Sequence, residues 1–183
     1  MRACRKVTLL HHESAEAVLQ ERAELEGRLS KIVATAPGVI HSLRLRPDGT
    51  FCFPFTSPVA ESLFGLKPVE LRESAAPFLE LIHAEDQERV RSSLTLSGRD
   101  LTPWREEFRV RHQRRGELWL EGNSIPEREA DGGALWYGVI RDISERKLTE
   151  QQIRYQFHLL KSITERAAEC IFVTDLQGRV TFA

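Results

Sequence analysis

Few residues of this chain combine the type and the spacing that catalysis or metal binding requires. His11 and His12 are adjacent near the amino terminus, and because a metal site needs three or four convergent ligands, a solvated pair is the simpler interpretation. Glu106 and Glu107 would suit a general acid and a general base. Neighbouring residues of a strand point to opposite faces of a sheet, however, so these two carboxylates cannot act on one substrate.

The cysteines do not indicate a redox or metal site either. Cys4, Cys52 and Cys170 are widely spaced and form no Cys-x-x-Cys pair, which indicates a reducing cytosol as the setting. The sequence also contains no Walker loop, dinucleotide fingerprint, nucleophile elbow or kinase signature. We therefore expect this chain itself to be non-catalytic.

The composition fits an ordinary soluble protein, and we expect neither nucleic-acid binding nor a membrane-spanning segment in this chain. The formal net charge is −1 and 29% of the residues are charged, without a long basic block that would attract phosphates. No apolar run approaches the roughly 18–20 residues that span a membrane, and the apolar residues 7–10 end too early for a signal peptide. We expect a cytoplasmic chain with no membrane segment, which leaves open a membrane-associated parent protein.

Three predicted strands followed by a helix organise the carboxyl-terminal half. Large apolar residues alternate with charged residues over positions 104–112, as expected of a half-buried antiparallel strand. Residues 118–126 and 134–143 are two further predicted strands, joined by a hairpin turn at 131–133 because glycine adopts positive φ there. Ser144 then carries a hydroxyl that is suited to cap the helix that follows.

Two predicted strands and a short helix come earlier in the chain. Residues 39–46 and 50–55 are the strands. Ser57 caps the short helix, and Gly65 ends it because glycine tolerates the left-handed conformation. A second helical stretch surrounds residues 69–82.

A better-marked helix is predicted for residues 85–96, ending at Ser97-Gly98. Two strands, several helices and three more strands predict an α+β fold, in which a five-stranded antiparallel sheet carries short helices on one face. Amphipathic helices flank this domain at both ends.

Several short segments follow one another in an order that is known from one protein family. They are residues 37–41, 47–49, 57–66, 81–86, 104–110, 115–122 and 138–147. Together, over residues 32–147, they resemble a bacterial PAS domain with its PAC motif. The chain departs from that pattern at His83-Ala84, where such domains usually carry His-Pro, and we expect only a local effect from the missing proline.

The resemblance implies a pocket between the concave face of the sheet and the short helices. In this family the pocket holds a small molecule or is filled with side chains, and the residues alone favour a filled core, because large inward-facing apolar residues usually pack together. A cavity for a small-molecule ligand of unknown identity is the alternative. The expected lining, chosen by alternation and family position, is His41, Leu43, Phe53, Phe64, Phe78, Phe108 and Val110.

Neither haem nor flavin is expected as a cofactor. His83 is a single histidine at a helix entry, without the pocket signature that haem ligation requires. His41 lies on a predicted strand and is interpreted as a core histidine. Flavin-adduct photosensors of the PAS family carry their reactive cysteine on a helix within a polar motif, whereas Cys52 lies on a strand.

The end of the last strand is predicted to transmit a signal. A change in the pocket would shift this strand, and Asp142 would relay the shift to Ser144 at the start of the helix. We expect an ion pair between Asp142 and a nearby arginine such as Arg109 or Arg141. The reason for this prediction is continuity, because no flexible linker separates Ile143 from the helix.

The flanking helices are predicted to form contacts with a second chain. Residues 13–36 form a helix with a heptad seam, which either meets its copy in a homodimer or packs on the chain's own domain. The helix after Ser144 would leave an apolar stripe in water, so we expect it to pair with its copy. The two stripes are Val18, Leu25, Leu29, Ile32 and Ala36, and Ile153, Phe157, Leu160, Ile163 and Ala167.

Residues 167–183 resemble the opening hairpin of another PAS domain, with a turn at 175–178. The predicted organisation is therefore an amino-terminal helix (1–31), a PAS domain (32–147), a linker helix (148–168) and the truncated start of a second PAS domain (169–183). The resemblance implies a sensory and dimerisation module of a multidomain signalling protein, either a histidine kinase or a diguanylate cyclase/phosphodiesterase. A ligand-free interaction scaffold that sets dimer geometry is the alternative.

Overall fold

The computed structural model describes residues 2–166, 173, 174, 177 and 179–182, with side chains described for 19–163, 177 and 179. The chain divides into two compact units, Met1–Asp142 and Ile143–Ala183. Among the described residues, no helix is long and apolar enough to cross a membrane.

The first unit opens with a long helix, α1 (Arg2–Thr35). It starts upstream of residue 13, where the sequence predicted its beginning, because the preceding residues contain no glycine or proline to interrupt it. His11 and His12 therefore lie within a helix.

A five-stranded antiparallel sheet with the order β2-β1-β5-β4-β3 forms the centre of the domain. Its first and last strands in the sequence are neighbours, and Leu43 pairs with Trp136 across them. The predicted α+β class with one five-stranded antiparallel sheet is confirmed. The strands are β1 (Val39–Leu45), β2 (Phe51–Thr56), β3 (Trp104–His112), β4 (Gly116–Arg128) and β5 (Ala134–Asp142).

Four helices connect β2 to β3 and cover the inner face of the sheet. They are α2 (Val59–Phe64), α3 (Pro68–Leu71), α4 (Ala76–Leu81) and α5 (Ala84–Asp100). The single helical stretch predicted over residues 69–82 is wrong, because the segment forms two helices. Pro77 lies in the first turn of α4, the place where a helix accommodates proline, and it therefore marks a new helix.

The predicted end of α5 at Ser97-Gly98 is also wrong. The helix continues to Asp100, and Leu101 adopts the left-handed conformation that ends it. A Cβ atom at position 98 would lie 2.7 Å from the ring of Trp136. Gly98 therefore permits close packing of the helix on the sheet.

The sequence predicted that Ser57 caps α2, and this prediction is wrong. Pro58 holds the position before the helix, and its own side chain offers no hydrogen bond to cap it. The Ser57 hydroxyl instead accepts a hydrogen bond from the Ile40 amide at 3.1 Å, which ties the start of α2 to β1. Gly65 ends the helix in the left-handed conformation, as predicted.

Two tryptophan–serine hydrogen bonds join α5 to the sheet. The Trp104 indole nitrogen donates to the Ser93 hydroxyl at 2.8 Å. The Trp136 indole nitrogen donates to the Ser97 hydroxyl at 3.0 Å. Because the two serines are one helical turn apart, the helix is held against two strands along the same face.

The second unit contains a helix and a short pair of strands, which are α6 (Ser144–Arg166), β6 (Val173–Thr174) and β7 (Val180–Phe182). The strands pair in antiparallel fashion, with Val173 opposite Phe182, as the predicted hairpin requires. Most of the predicted turn at 175–178 lies outside the described residues.

Candidate functional site

The predicted pocket residues all lie in the interior of the domain. Their side chains are buried, and those on β1 and β3 follow the inward alternation that the sequence predicted. The set is His41, Leu43, Phe53, Phe64, Phe78, Phe108 and Val110. Whether they bind a ligand stays a prediction.

Phe78 of α4 is the centre of an aromatic cluster. Its ring centroid lies 4.7 Å from that of Phe64, 5.5 Å from that of Phe53 and 6.2 Å from that of Phe108. The contacts with Phe53 and Phe108 are edge-to-face, a geometry that aromatic pairs favour. These rings fill much of the space between the helices and the sheet.

A cavity of about 20 Å³ remains beside this cluster. That volume accommodates about one water molecule. Five of the predicted residues line it, whereas Phe64 and Val110 lie outside it. Six further residues line the cavity that were not predicted from the sequence, namely Phe51, Leu79, Val90, Leu94, Trp104 and Ile140.

Periodicity could have identified part of this missed lining. Trp104 and Ile140 share the inner face with the predicted strand residues, and Val90 and Leu94 are four residues apart in α5. Leu79 follows Phe78 directly along the chain, so spacing alone gave no reason to place both at one cavity.

A larger open groove lies next to this cavity and shares two lining residues with it. It has a volume of about 510 Å³ and runs between the β1–β2 turn, α4 and the start of α5. Phe51 and Leu79 line both the groove and the buried cavity. These two side chains therefore form the wall between them.

His41 is the polar residue of the cavity. Burial disfavours the charged imidazolium and lowers the pKa of His41 to about 4, although a hydrogen bond between the ring and the Val39 backbone opposes this lowering. The ring is therefore neutral at pH 7. Its Nδ1 atom has no hydrogen-bond partner within the part of the chain that the structure describes.

Asp142 forms an ion pair with a nearby arginine, as expected, but this arginine is Arg115 and neither of the two suggested residues, Arg109 and Arg141. Arg115 donates a hydrogen bond to the Asp142 carboxylate at 2.7 Å, whereas Arg109 binds Asp86 at 2.9 Å. The reason is the sheet order, which places β4 between the strand of Arg109 and the strand of Asp142.

Ser144 is the first residue of α6. The Lys147 amide donates to the Ile143 carbonyl at 3.0 Å, so the first turn of the helix reaches back to Ile143. The pairing of β5 extends to Asp142, which leaves only Ile143 between the strand and the helix. The capping role of the Ser144 hydroxyl stays a prediction.

The apolar stripes of the flanking helices are exposed in the single chain. In α1, Leu25, Leu29 and Ile32 are 52%, 59% and 62% exposed, so the chain's own domain does not cover this stripe. The α6 side chains are similarly exposed, and they are Ile153, Phe157, Leu160 and Ile163. Val18, Ala36 and Ala167 complete the predicted stripes, but the side chains of Val18 and Ala167 lie outside the described residues.

The strand order and the placement of the helices define a class of fold. A five-stranded antiparallel sheet, with its first and last strands adjacent and its helices between the second and third, is a PAS fold. Residues 53–140 match the family model described as PAS fold, and this part of the chain is a PAS domain. The sequence comparison with curated proteins returned no significant match.

Solved structures with the same fold include three instructive relatives. The N-terminal domain of a diguanylate cyclase with PAS/PAC sensor from Marinobacter aquaeolei is 20% identical, with 60% of this chain and 98% of that chain covered and a TM-score of 0.50. A sensory box histidine kinase/response regulator from Burkholderia thailandensis E264 is 23% identical, with 74% and 98% covered and a TM-score of 0.55. An RNA-binding light-oxygen-voltage receptor is 21% identical, with 79% and 40% covered and a TM-score of 0.55. At these identities the likeness demonstrates the fold alone.

Proposed function

We propose that this chain is a sensory and dimerisation module of a multidomain bacterial signal-transduction protein in the cytoplasm. In this proposal the PAS domain with its PAC motif covers residues 32–147, between a helix at 1–31 and a linker helix at 148–168. Residues 169–183 begin a second PAS domain. The chain itself is non-catalytic, and the enzymatic output belongs to the longer protein.

The similar solved structures support two kinds of parent protein. One is described as a diguanylate cyclase with PAS/PAC sensor and the other as a sensory box histidine kinase/response regulator. We therefore propose a parent that acts in cyclic di-GMP signalling, as a cyclase or phosphodiesterase, or in a two-component system.

The observation that carries the proposal is the short connection between the sheet and α6. β5 ends at Asp142 and α6 begins at Ser144, so Ile143 alone separates a central strand from a helix of 23 residues. Between β5 and α6 there is no longer linker that could absorb a displacement of the strand. The helix is therefore suited to carry such a displacement toward an output domain.

Arg115 replaces Arg109 in the proposed relay. It extends from the turn between β3 and β4 to the carboxylate of Asp142 at the end of β5. A change in the sheet would alter this contact at the last residue of the strand. We propose that Asp142 passes the change along the backbone to Ser144 and α6.

A second copy of the chain is the proposed partner of both flanking helices. Leu25, Leu29 and Ile32 follow the heptad spacing of a coiled coil and lie exposed on α1. An apolar stripe of this kind is stable in water when a matching helix covers it. A symmetric homodimer covers it with the same residues of the partner chain.

The filled interior favours a second candidate function. With a cavity of only about 20 Å³, the domain can act as a ligand-free scaffold that sets the geometry of a dimer. Native mass spectrometry of the purified chain distinguishes the two functions. A retained small molecule supports sensing, whereas the bare mass of the chain supports the scaffold.

Substitutions at the junction test the principal proposal in the longer protein. Asp142→Ala and Ser144→Ala are each expected to reduce the dependence of the enzymatic output on its stimulus. Asp100→Ala is the matched control, because Asp100 is also an aspartate paired with an arginine but lies at the end of α5. If both junction variants kept normal output and normal stimulus dependence, the relay would be wrong.

A further inference from the structure

A surface pocket of about 300 Å³ lies between α2 and the turn that joins β3 to β4. The helix side contributes Glu61, Ser62 and Gly65, and the turn side contributes residues 112–115. The pocket shares no lining residue with the buried cavity or with the open groove of about 510 Å³. It is therefore distinct from the interior between the sheet and the short helices.

His112 is the buried polar residue of this pocket. It is only 8% exposed, and its Nδ1 atom accepts hydrogen bonds from the Arg114 and Arg115 amides, each at 3.1 Å. A ring nitrogen that accepts hydrogen bonds carries no proton, so the proton of the imidazole is on Nε2. The two bonds from the turn also fix the orientation of the ring. His112 therefore holds an N–H donor in a fixed direction.

The Nε2 donor of His112 is directed at the pocket. A Cβ atom at Gly65 would lie 3.4 Å from Nε2, so the absence of a side chain at this glycine leaves the nitrogen uncovered. Within the described part of the chain, the hydrogen bonds of the ring are those of Nδ1, and Nε2 forms none. Polar groups of buried side chains are nearly always paired. This donor therefore points to an acceptor that enters from the pocket.

The charges around His112 indicate that this acceptor is an anion. Two guanidinium groups, those of Arg114 and Arg115, and one carboxylate, that of Glu61, line the pocket. Arg115 binds Asp142 at 2.7 Å, whereas the Arg114 guanidinium has no ion pair among the described residues. Guanidinium groups and an imidazole N–H are all donors, and together they suit an oxyanion. Glu61 opposes such a ligand and limits its affinity.

We propose that this pocket binds a small oxyanion, a phosphate or a carboxylate, and that the oxyanion competes with Asp142 for Arg115. His112 and Arg114 hold the anion at the turn, and Arg115 belongs both to the pocket and to the ion pair with Asp142. Binding of the anion therefore weakens the contact at the last residue of β5. As a regulatory site the pocket rests on the proposed function, because the proposed relay begins at Asp142.

Titrations of the chain followed by two-dimensional NMR test the binding. The probes are inorganic phosphate and succinate, at an ionic strength held constant with sodium chloride because salt screens exposed charges. We expect saturable shifts of the amide signals of residues 112–115, and the tighter-binding probe identifies the kind of oxyanion. Sodium chloride alone should give no saturable shift. Absence of saturable shifts with both oxyanions would overturn the proposal.

Two variants remove donors of the pocket. His112→Asn removes Nε2 but keeps an acceptor bonded to Cγ for the amides of the turn, and Arg114→Gln removes an exposed guanidinium. Each should weaken binding of the oxyanion about ten-fold. Arg111→Gln is the matched control, because Arg111 is also an exposed arginine but lies outside the pocket. Unchanged affinity in Arg114→Gln, or an equal loss in Arg111→Gln, would contradict the site.

Glu61→Gln tests the sign of the charge that the pocket binds. The variant removes the carboxylate that opposes an anion, so the affinity for the oxyanion should rise about three-fold. Weaker binding in this variant would contradict an anionic ligand.

Asp142→Ala tests the competition in the chain itself. Without this carboxylate Arg115 is released to the anion, so the affinity for the oxyanion should rise about three-fold. Asp100→Ala is the control and should leave the affinity unchanged, because Asp100 pairs with Arg99. Unchanged affinity in Asp142→Ala would overturn the competition.

These outcomes are distinguishable from a failure of the proposed function. If Asp142→Ala tightens binding of the oxyanion but Asp142→Ala and Ser144→Ala leave output unchanged, the anion site stands and the relay fails. If the junction variants uncouple the output while neither phosphate nor succinate binds, the relay stands and the anion site fails.

Discussion

The carboxylate of Asp86, at the start of α5, binds both the backbone and the side chain of Arg109 in β3. The Asp86 carboxylate accepts hydrogen bonds from the Arg109 amide at 3.0 Å and from Arg109 Nε at 2.9 Å. These bonds, chiefly the one from the side chain, lower the pKa of Asp86 to about 2. The His83 amide also donates to the Arg109 carbonyl at 2.8 Å. Because β3 is an edge strand, these contacts cover backbone groups that a second strand could otherwise bind.

Removal of the Asp86 carboxylate should destabilise the domain. Asp86→Ala leaves the Arg109 amide and guanidinium without their buried acceptor, so we expect the free energy of unfolding to fall by about 3 kcal/mol. Urea denaturation followed by circular dichroism measures this change. Glu85→Ala is the matched control, because Glu85 binds the same arginine from a side chain that is 72% exposed. Its expected cost is below about 1 kcal/mol, and equal losses in the two variants would contradict this account.

The stability of the domain should depend on the protonation of His41. Burial lowers the pKa of His41 to about 4 in the folded domain, from 6.5 for an exposed imidazole in the unfolded chain. As pH falls from 6.5 to 4, the unfolded chain takes up a proton that the folded domain excludes, so stability falls by up to about 3 kcal/mol. Below pH 4 this loss ends.

His41→Phe tests that dependence. The variant keeps an aromatic ring in the position that packs edge-on against Phe53, but it has no titrating group. Unfolding free energies of both proteins at pH 7 and pH 4.5 give the comparison. The wild type should lose more stability than the variant over this interval, and parallel losses would show that His41 does not contribute.

Two glycines in helices should respond in opposite ways to alanine. Gly98→Ala places a methyl group 2.7 Å from the Trp136 ring, and such overpacking costs about 1–3 kcal/mol. Gly27→Ala in α1 meets no described atom within 4 Å and should stabilise the helix by about 0.5–1 kcal/mol. Thermal denaturation of both variants checks the prediction. A stabilising effect at position 98 would show that the helix does not pack closely on the sheet.

Much of the fold could be predicted because periodicity reports directly on burial. The bounds of β3 agree with the alternation of Trp104, Phe108 and Val110, and the glycine-containing turn between β4 and β5 is a local signal. The inward position of His41 followed from the same alternation. Family resemblance added the order of the elements.

Two of the predictions failed because they depended on tertiary neighbours. Gly98 suggested a helix end because glycine is common there. The structure shows instead that a glycine at this position makes room for the ring of Trp136 from a distant strand. The partner of Asp142 could not be chosen before the strand order was known, because that order decides which arginines lie nearby.

A charge in the exposed stripe of α1 tests the proposed homodimer. Leu29→Glu places a carboxylate in the predicted seam and should convert a dimer into monomers, because burying the charge there is unfavourable. Sedimentation equilibrium measures the mass of the assembly. Ala23→Glu, also exposed on α1 but outside the seam, is the control and should remain dimeric. A monomeric wild type, or a dimeric Leu29→Glu variant, would contradict the proposal.

The proposed relay requires α6 to carry a change in the PAS domain along one continuous helix, so a rotation of the helix about its axis should alter the response. Insertion of two residues after Lys147 rotates the rest of α6 by about 200°, whereas insertion of seven residues adds nearly two full turns and restores its orientation. The measurement is the enzymatic output of the longer protein with and without its stimulus. We expect the two-residue insertion to abolish or invert the response and the seven-residue insertion to preserve it. A normal response from the two-residue insertion would contradict the proposed relay.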